Sequence, residues 1–268
     1  MRLLVLVLAA AAGCAGAEAM TSTPAGPASA PPPRHELGLN PGEAMSFEVH
    51  LAGVLAGEAQ LAVGEIGEVD GRKAIVVRSH AATAGAAALF KKISDDATTT
   101  IDIETGRPLK LETAVEQGDK RITASATFKG STAVVTYQRS GEAESKAVTL
   151  DFHGAQVHDA HTAMAQLRGW KGKTGETRTV YVVGGRRLWR IDMTYAGEEN
   201  IGSALGNRRA VVFEGKSYRA RNDLSIDGAK PARTFKVWLS DDADRVPLKV
   251  TAATELGDIS MDLLDYQR

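Results

Sequence analysis

Apolar and polar residues alternate with a period of two through most of this chain. From Met45 to Leu51, Phe47, Val49 and Leu51 alternate with Ser46, Glu48 and His50, so a strand here has one apolar and one polar face. Val54 to Ile66 repeats the pattern through Ala59, Leu61 and Val63, and Asp70-Gly71 supplies a hairpin turn into Ala74 to Thr83. His50 and His80 read as solvated strand residues. The stretch AGAAALFKKI, Ala84 to Ile93, interrupts the alternation. It is expected to form a helical turn or a loop over the sheet, with Leu89 and Phe90 lining a ligand entrance.

Strand patterns resume at Ala97 to Ile103, Leu109 to Glu116, Arg121 to Phe128, Thr132 to Arg139 and Lys146 to Phe152. Turn signals at Thr105-Gly106, Gly118-Asp119, Lys129-Gly130 and Ser140-Gly141 separate them. Such connections are too short for parallel crossovers, so this first array is an antiparallel meander of about eight strands. A second array follows in Thr177 to Val183, Arg186 to Tyr195, Ala210 to Ala220, Thr234 to Leu239, Pro247 to Ala253 and Ile259 to Leu264. Gly184-Gly185 is its clearest two-residue hairpin turn.

Between the arrays lies the one convincing internal helix, at about 159–168. Asp159 is the expected N-cap, and Ala160, Ala163, Met164 and Leu167 form one apolar stripe, with Gly169 at the C′ position. The fold class that results is mainly β: an antiparallel curved sheet, as a sandwich or partly closed barrel, with this short central helix inserted. A curved sheet whose interior exceeds its own side chains would hold a ligand cavity.

Composition narrows the setting. The 268 residues carry a formal net charge of −1 and no basic stripe, so nucleic acid is not an expected partner. The single cysteine, Cys14, follows one Arg, an apolar run and Ala-Gly, an export signal too short to remain as a membrane span. Ala12-Gly13-Cys14 resembles a bacterial lipobox, in which the cysteine is acylated, with chains such as palmitate, and becomes the new N-terminus. Ala11 departs from the more usual leucine, and ordinary cleavage after Ala17 is the competing reading. Ala15 rather than Asp after the cysteine resembles an outer-membrane sorting signal. Residues 14–40, rich in Ala and Pro, read as a tether ahead of a single β-rich domain over 41–268.

Candidate chemistry is sparse. His153, His158 and His161 are the metal-ligand candidates, although their spacing matches no established ligand pattern. Arg168 either complements the helix dipole or forms a structural lock with Asp95 or Asp96, alongside the Asp159 cap. Ser240-Asp241-Asp242 and Asp244 lack the glycine and the glutamate of a calcium loop and read as a tight acidic turn. Ser79 and His80 are adjacent on a strand, point to opposite faces, and cannot act as a nucleophile and base pair. No phosphate loop, dinucleotide fingerprint or nucleophile elbow is present, and no cofactor is expected.

Several segments together resemble the bacterial exported family known as domain of unknown function 3108. They are SFEVHLAGVLAGEAQLAV within 45–63, LFKKISDDATTTID at 89–102, the Asp159, Thr162, Leu167, Arg168 helix, Glu198 to Arg209, and VWLSDDADRVP at 237–247. The resemblance implies an envelope location and a β-rich fold and assigns no activity. The expected role is non-catalytic binding or transport of a hydrophobic or amphiphilic envelope molecule in the sheet's concavity, lined by Leu89, Phe90, Met164 and Leu167; Trp189 and Trp238 are further candidates, although strand tryptophans are more often core. The competing roles are an interaction module with an envelope protein partner, and a metal-dependent hydrolase using the three histidines. The membrane itself is the partner implied by the lipid anchor.

Overall fold

The computed structural model describes residues 37–254 and 257–268, so Cys14, the export signal and most of the tether lie outside the described residues. The first array consists of β1 (Ala44–Leu51), β2 (Val54–Val63), a short β3 (Gly67–Val69), β4 (Arg72–Thr83), β5 (Ile93–Asp102), β6 (Arg107–Gln117), β7 (Lys120–Lys129), β8 (Thr132–Arg139) and β9 (Lys146–Asp151). A single helical turn and a half, α1 (Gly85–Phe90), joins β4 to β5. The two-residue β10 (Val157–His158) leads into the central helix α2 (Ala160–Gly169). The second array is β11 (Thr177–Gly184), β12 (Arg187–Ser203), β13 (Gly206–Ala220), β14 (Arg233–Ser240), β15 (Pro247–Thr254) and β16 (Gly257–Gln267).

The two arrays form one continuous sheet, because the last strand β16 pairs antiparallel with the first, β1. Hairpin partners are neighbours throughout, as short turns demand, and among the described residues the one parallel pairing is β10 with β11. The sheet is strongly curved without closing. Its strand β6 and the ends of β8 and β9 meet β11 and β12 in a shared apolar cluster containing Leu111, Val135, Leu150, Phe152, Val183 and Leu188.

Period-two alternation decides which residues face inward. On β1, Met45, Phe47 and Val49 are buried while Ser46, Glu48 and His50 stay half-exposed. The inner faces of the second array form the largest core cluster, to which α2 contributes Ala163 and Leu167. On its other side α2 places Ala165 among Val63, Ile75, Val77 and Ile101 of the first array. The helix therefore sits within the concavity and touches both walls.

One turn differs in detail from the pattern reading, and another follows it. The β11–β12 hairpin turns through Gly185 and Arg186, since Gly184 pairs with Arg187; only the first turn position needs positive φ, and Gly185 supplies it at 58°. Asp70 and Gly71 both adopt left-handed backbone, which suits the tight turn between β3 and β4.

Candidate functional site

The site with the richest polar chemistry is the seat of α2. Asp159 caps the helix reciprocally: its Oδ1 accepts from the Thr162 N–H at 2.9 Å, and its own N–H donates to Thr162 Oγ1 at 3.0 Å. The C-terminus departs from the expected left-handed glycine. Gly169 remains helical and the chain leaves in extended form at Trp170, with φ −78°. The segment before β1 closes on this end of the helix, where a Cβ on Gly38 would stand 2.2 Å from the Ala165 carbonyl and 2.7 Å from the Gly169 nitrogen. Trp170 then packs 5.2 Å from Phe213, itself 5.2 Å from Tyr195, and Arg178 stacks 4.4 Å from the indole.

A buried relay ties the first helical turn to the sheet. Thr99 on β5 bonds to Asp159 Oδ2, its hydroxyl lies 2.7 Å from His161 Nδ1, and His161 Nε2 lies 2.9 Å from Ser79 Oγ on β4. As a carboxylate, Asp159 only accepts, so Thr99 donates to it and must accept from His161 Nδ1–H. His161 Nε2 is then the acceptor for the Ser79 hydroxyl. Every direction is consistent with a neutral imidazole. Burial lowers the His161 pKa, with the Asp159 charge opposing. His158, next to this chain, is pushed down to about 4 by burial, with Asp159 opposing and Arg107 adding to the fall.

The last helical turn is tied by charge. Arg168 forks onto the Glu43 carboxylate through both terminal nitrogens, and its Nη2 also donates to the Asp244 carbonyl at 2.8 Å. Asn40 donates to Glu43 Oε1 through its backbone N–H at 3.2 Å and bridges to Asp244 Oδ1 at 3.2 Å, while Arg268 pairs with the same Asp244. The acidic turn is held by Asp242, whose Oδ1 accepts from Ser240 Oγ at 2.7 Å and from the backbone of Asp244 and Arg245 at 3.1 Å.

These contacts correct the expected lock. Arg168 binds Glu43, a residue the pattern reading passed over, whereas Asp96 bonds to His80 on the outer face at 2.8 Å and Asp95 is a buried residue of β5. Glu43, just before β1, takes their place beside the helix end, and the 125-residue separation gives no sequence signal of it. Ser79 and His80 do point to opposite faces, and the base facing Ser79 is the distant His161. His153 is exposed in a left-handed turn away from the buried His158 and His161, and among the described residues no three metal-ligating side chains converge.

The four expected ligand-lining residues do not share a cavity. Leu167 is core, Met164 packs half-buried against the same cluster, and Leu89 and Phe90 stand in solvent. Trp189 is buried in that core, and Trp238 donates from its indole N–H to Glu199. A depression of about 1070 Å³ lies elsewhere, across β12 to β16 and the β1–β2 turn, and is lined by Asp192, Glu214, Lys216 and Lys236 together with Phe235 and Ile259. Two of its charges are paired, Lys236 with Glu214 at 2.6 Å and Asp192 with Arg190 at 2.9 Å.

The profile of the family described as protein of unknown function, DUF3108, matches residues 46–264. The chain belongs to the DUF3108 family. Among solved structures, this DUF3108 chain is similar to a β-barrel-like protein of domain of unknown function DUF1849 from Brucella abortus, at 9% identity and a TM-score of 0.53, covering 84% of this chain and 97% of that one. A protein assigned as exported, with a YmcC-like fold, from Bacteroides fragilis matches at 8% identity and a TM-score of 0.38, covering 88% and 100%. No curated protein matches the DUF3108 chain. At such identities the Brucella likeness is one of fold.

Proposed function

We propose that this chain is exported, acylated at Cys14 and held at the outer membrane, and that its domain is a non-catalytic interaction module of the bacterial envelope with a filled interior. The observation that carries this reading is α2. It occupies the concavity in which a carrier would hold its ligand, packed on both walls and fastened at both ends by buried polar contacts. The Ser79–His161 pair has the direction of a nucleophile and its base, yet neither residue lines the open depression, so the relay reads as a fastening.

Native mass spectrometry of residues 15–268, purified gently from an envelope-exporting host, tests the filled interior. A clean apo mass that persists after incubation with envelope lipids is expected. A lipid-sized mass that vanishes on denaturation would restore the carrier reading, with α2 as the element the ligand displaces. A transition metal retained through dialysis would instead promote a hydrolase.

A further inference from the structure

We propose that α1 and the adjoining start of β2 form a wedge that seats on an anionic lipid surface, with Leu89, Phe90 and Val54 entering the headgroup layer and Lys91 and Lys92 meeting its charge. Leu89 and Phe90 are 87% and 91% exposed. No residue of α1 is buried, so the helix contributes nothing to the core with its largest apolar side chains. Among the described residues the next most exposed large apolar side chain is Val54 at 64%. It lies beside α1, where the Ala84 N–H donates to the Ala56 carbonyl at 3.1 Å and Gly85 sits over Leu55. The exposed apolar patch is thus α1 together with the adjoining start of β2.

The patch ends in two exposed lysines that make no ion pair among the described residues. Lys120 stands at the neighbouring β6–β7 turn, where the Gly118 N–H bonds to the Lys92 carbonyl, with Asp119 the one opposing charge in that turn. Exposed Leu and Phe beside a short basic run match the chemistry of an anionic bilayer surface, which accepts apolar side chains below its headgroups and attracts lysine above them.

This wedge rests on the proposed anchor for its proximity to a membrane. The chain enters β1 at the end opposite the patch, a strand length of about 26 Å away. The 23 residues from Cys14 to Glu36 span at most about 80 Å when extended, so covalent geometry lets an anchored Cys14 and the patch touch one bilayer together.

All described buried apolar residues lie between Leu39 and Leu263, so residues 15–268 retain the folded unit and can be assayed without acylation. That protein should co-sediment with vesicles of phosphatidylglycerol and phosphatidylethanolamine and leave phosphatidylcholine vesicles unbound. Leu89→Ser with Phe90→Ser, and separately Lys91→Glu with Lys92→Glu, should each weaken vesicle binding by about tenfold or more at unchanged melting temperature. Equal sedimentation of wild type and both variants overturns the proposal. So does an absence of vesicle binding, or a dimer in sedimentation velocity that the serine variant abolishes. Intact mass of the full exported chain judges the anchor independently: a non-acylated Cys14 with vesicle binding intact removes the anchor and keeps the wedge, and the converse result does the opposite.

Discussion

Arg168 and Glu43 meet as a forked ion pair across 125 residues of sequence, with Glu43 fully buried and Arg168 nearly so. Removing one partner strands the other charge in the interior. Arg168→Met or Glu43→Gln alone should therefore cost about 3–5 kcal/mol in urea unfolding. The double variant Glu43→Leu with Arg168→Met should recover much of that loss, because two apolar side chains leave no buried charge. Equal losses in single and double variants would show that the pair adds nothing beyond its packing.

Acid should loosen the seat of α2. His158 titrates near 4 in the fold and His161 is also lowered, so both stay neutral while the unfolded chain takes up protons below about 6.5. The stability they preserve is complete above that value and falls as pH drops from about 6.5 toward 4, by about 3 kcal/mol for His158 alone. The charges that face it, Asp159 and Arg107, oppose each other. A pH series of chemical melts on the wild type and His158→Asn should show the variant less acid-sensitive across this window.

Thr99 serves two partners and Ser79 one, so their deletions should differ. Thr99→Val leaves an Asp159 oxygen and a histidine N–H without their hydroxyl, at about 2–4 kcal/mol, while Ser79→Ala frees one imidazole acceptor at about 1 kcal/mol. Thermal denaturation of the two variants side by side gives the ordering. A larger loss for Ser79→Ala would contradict the donor directions assigned here.

Gly38→Ala should destabilise by about 1–3 kcal/mol, since the new methyl would collide with the Ala165 carbonyl and the segment before β1 would have to lift from the helix. Hydrogen exchange at Ala165 to Trp170 should rise in that variant more than at β7 or β8. A uniform change would place the effect elsewhere.

The alternation in Phe47, Val49 and Leu51 was sufficient to read β1, and the Asp159 to Leu167 stripe was sufficient to read α2 and its cap, because both depend on local spacing. What escaped depends on distance. Glu43 sits in an unremarkable run after Pro41-Gly42, and it meets Arg168 only in the folded chain, at the end of β1 that pairs with β16. Ser79 and Thr99 look like ordinary strand hydroxyls until the curl of the sheet turns both toward His161. Leu89 and Phe90 were legible as apolar, but an apolar residue on a six-residue helix gives no local sign of whether it faces a core or solvent.

Because β16 lies against β1, with Ala44 opposite Gln267, the order of strands around the sheet is nearly that of a ring whose cut falls between two hydrogen-bonded neighbours. That seam cannot zip until the final strand has been made, so the first strand waits through the synthesis of all the others without one of its two flanks. The same adjacency means the cut can be moved: a short loop joining 268 to 41, with new ends opened in the exposed turn at Ser140-Gly141, leaves every strand its present neighbours.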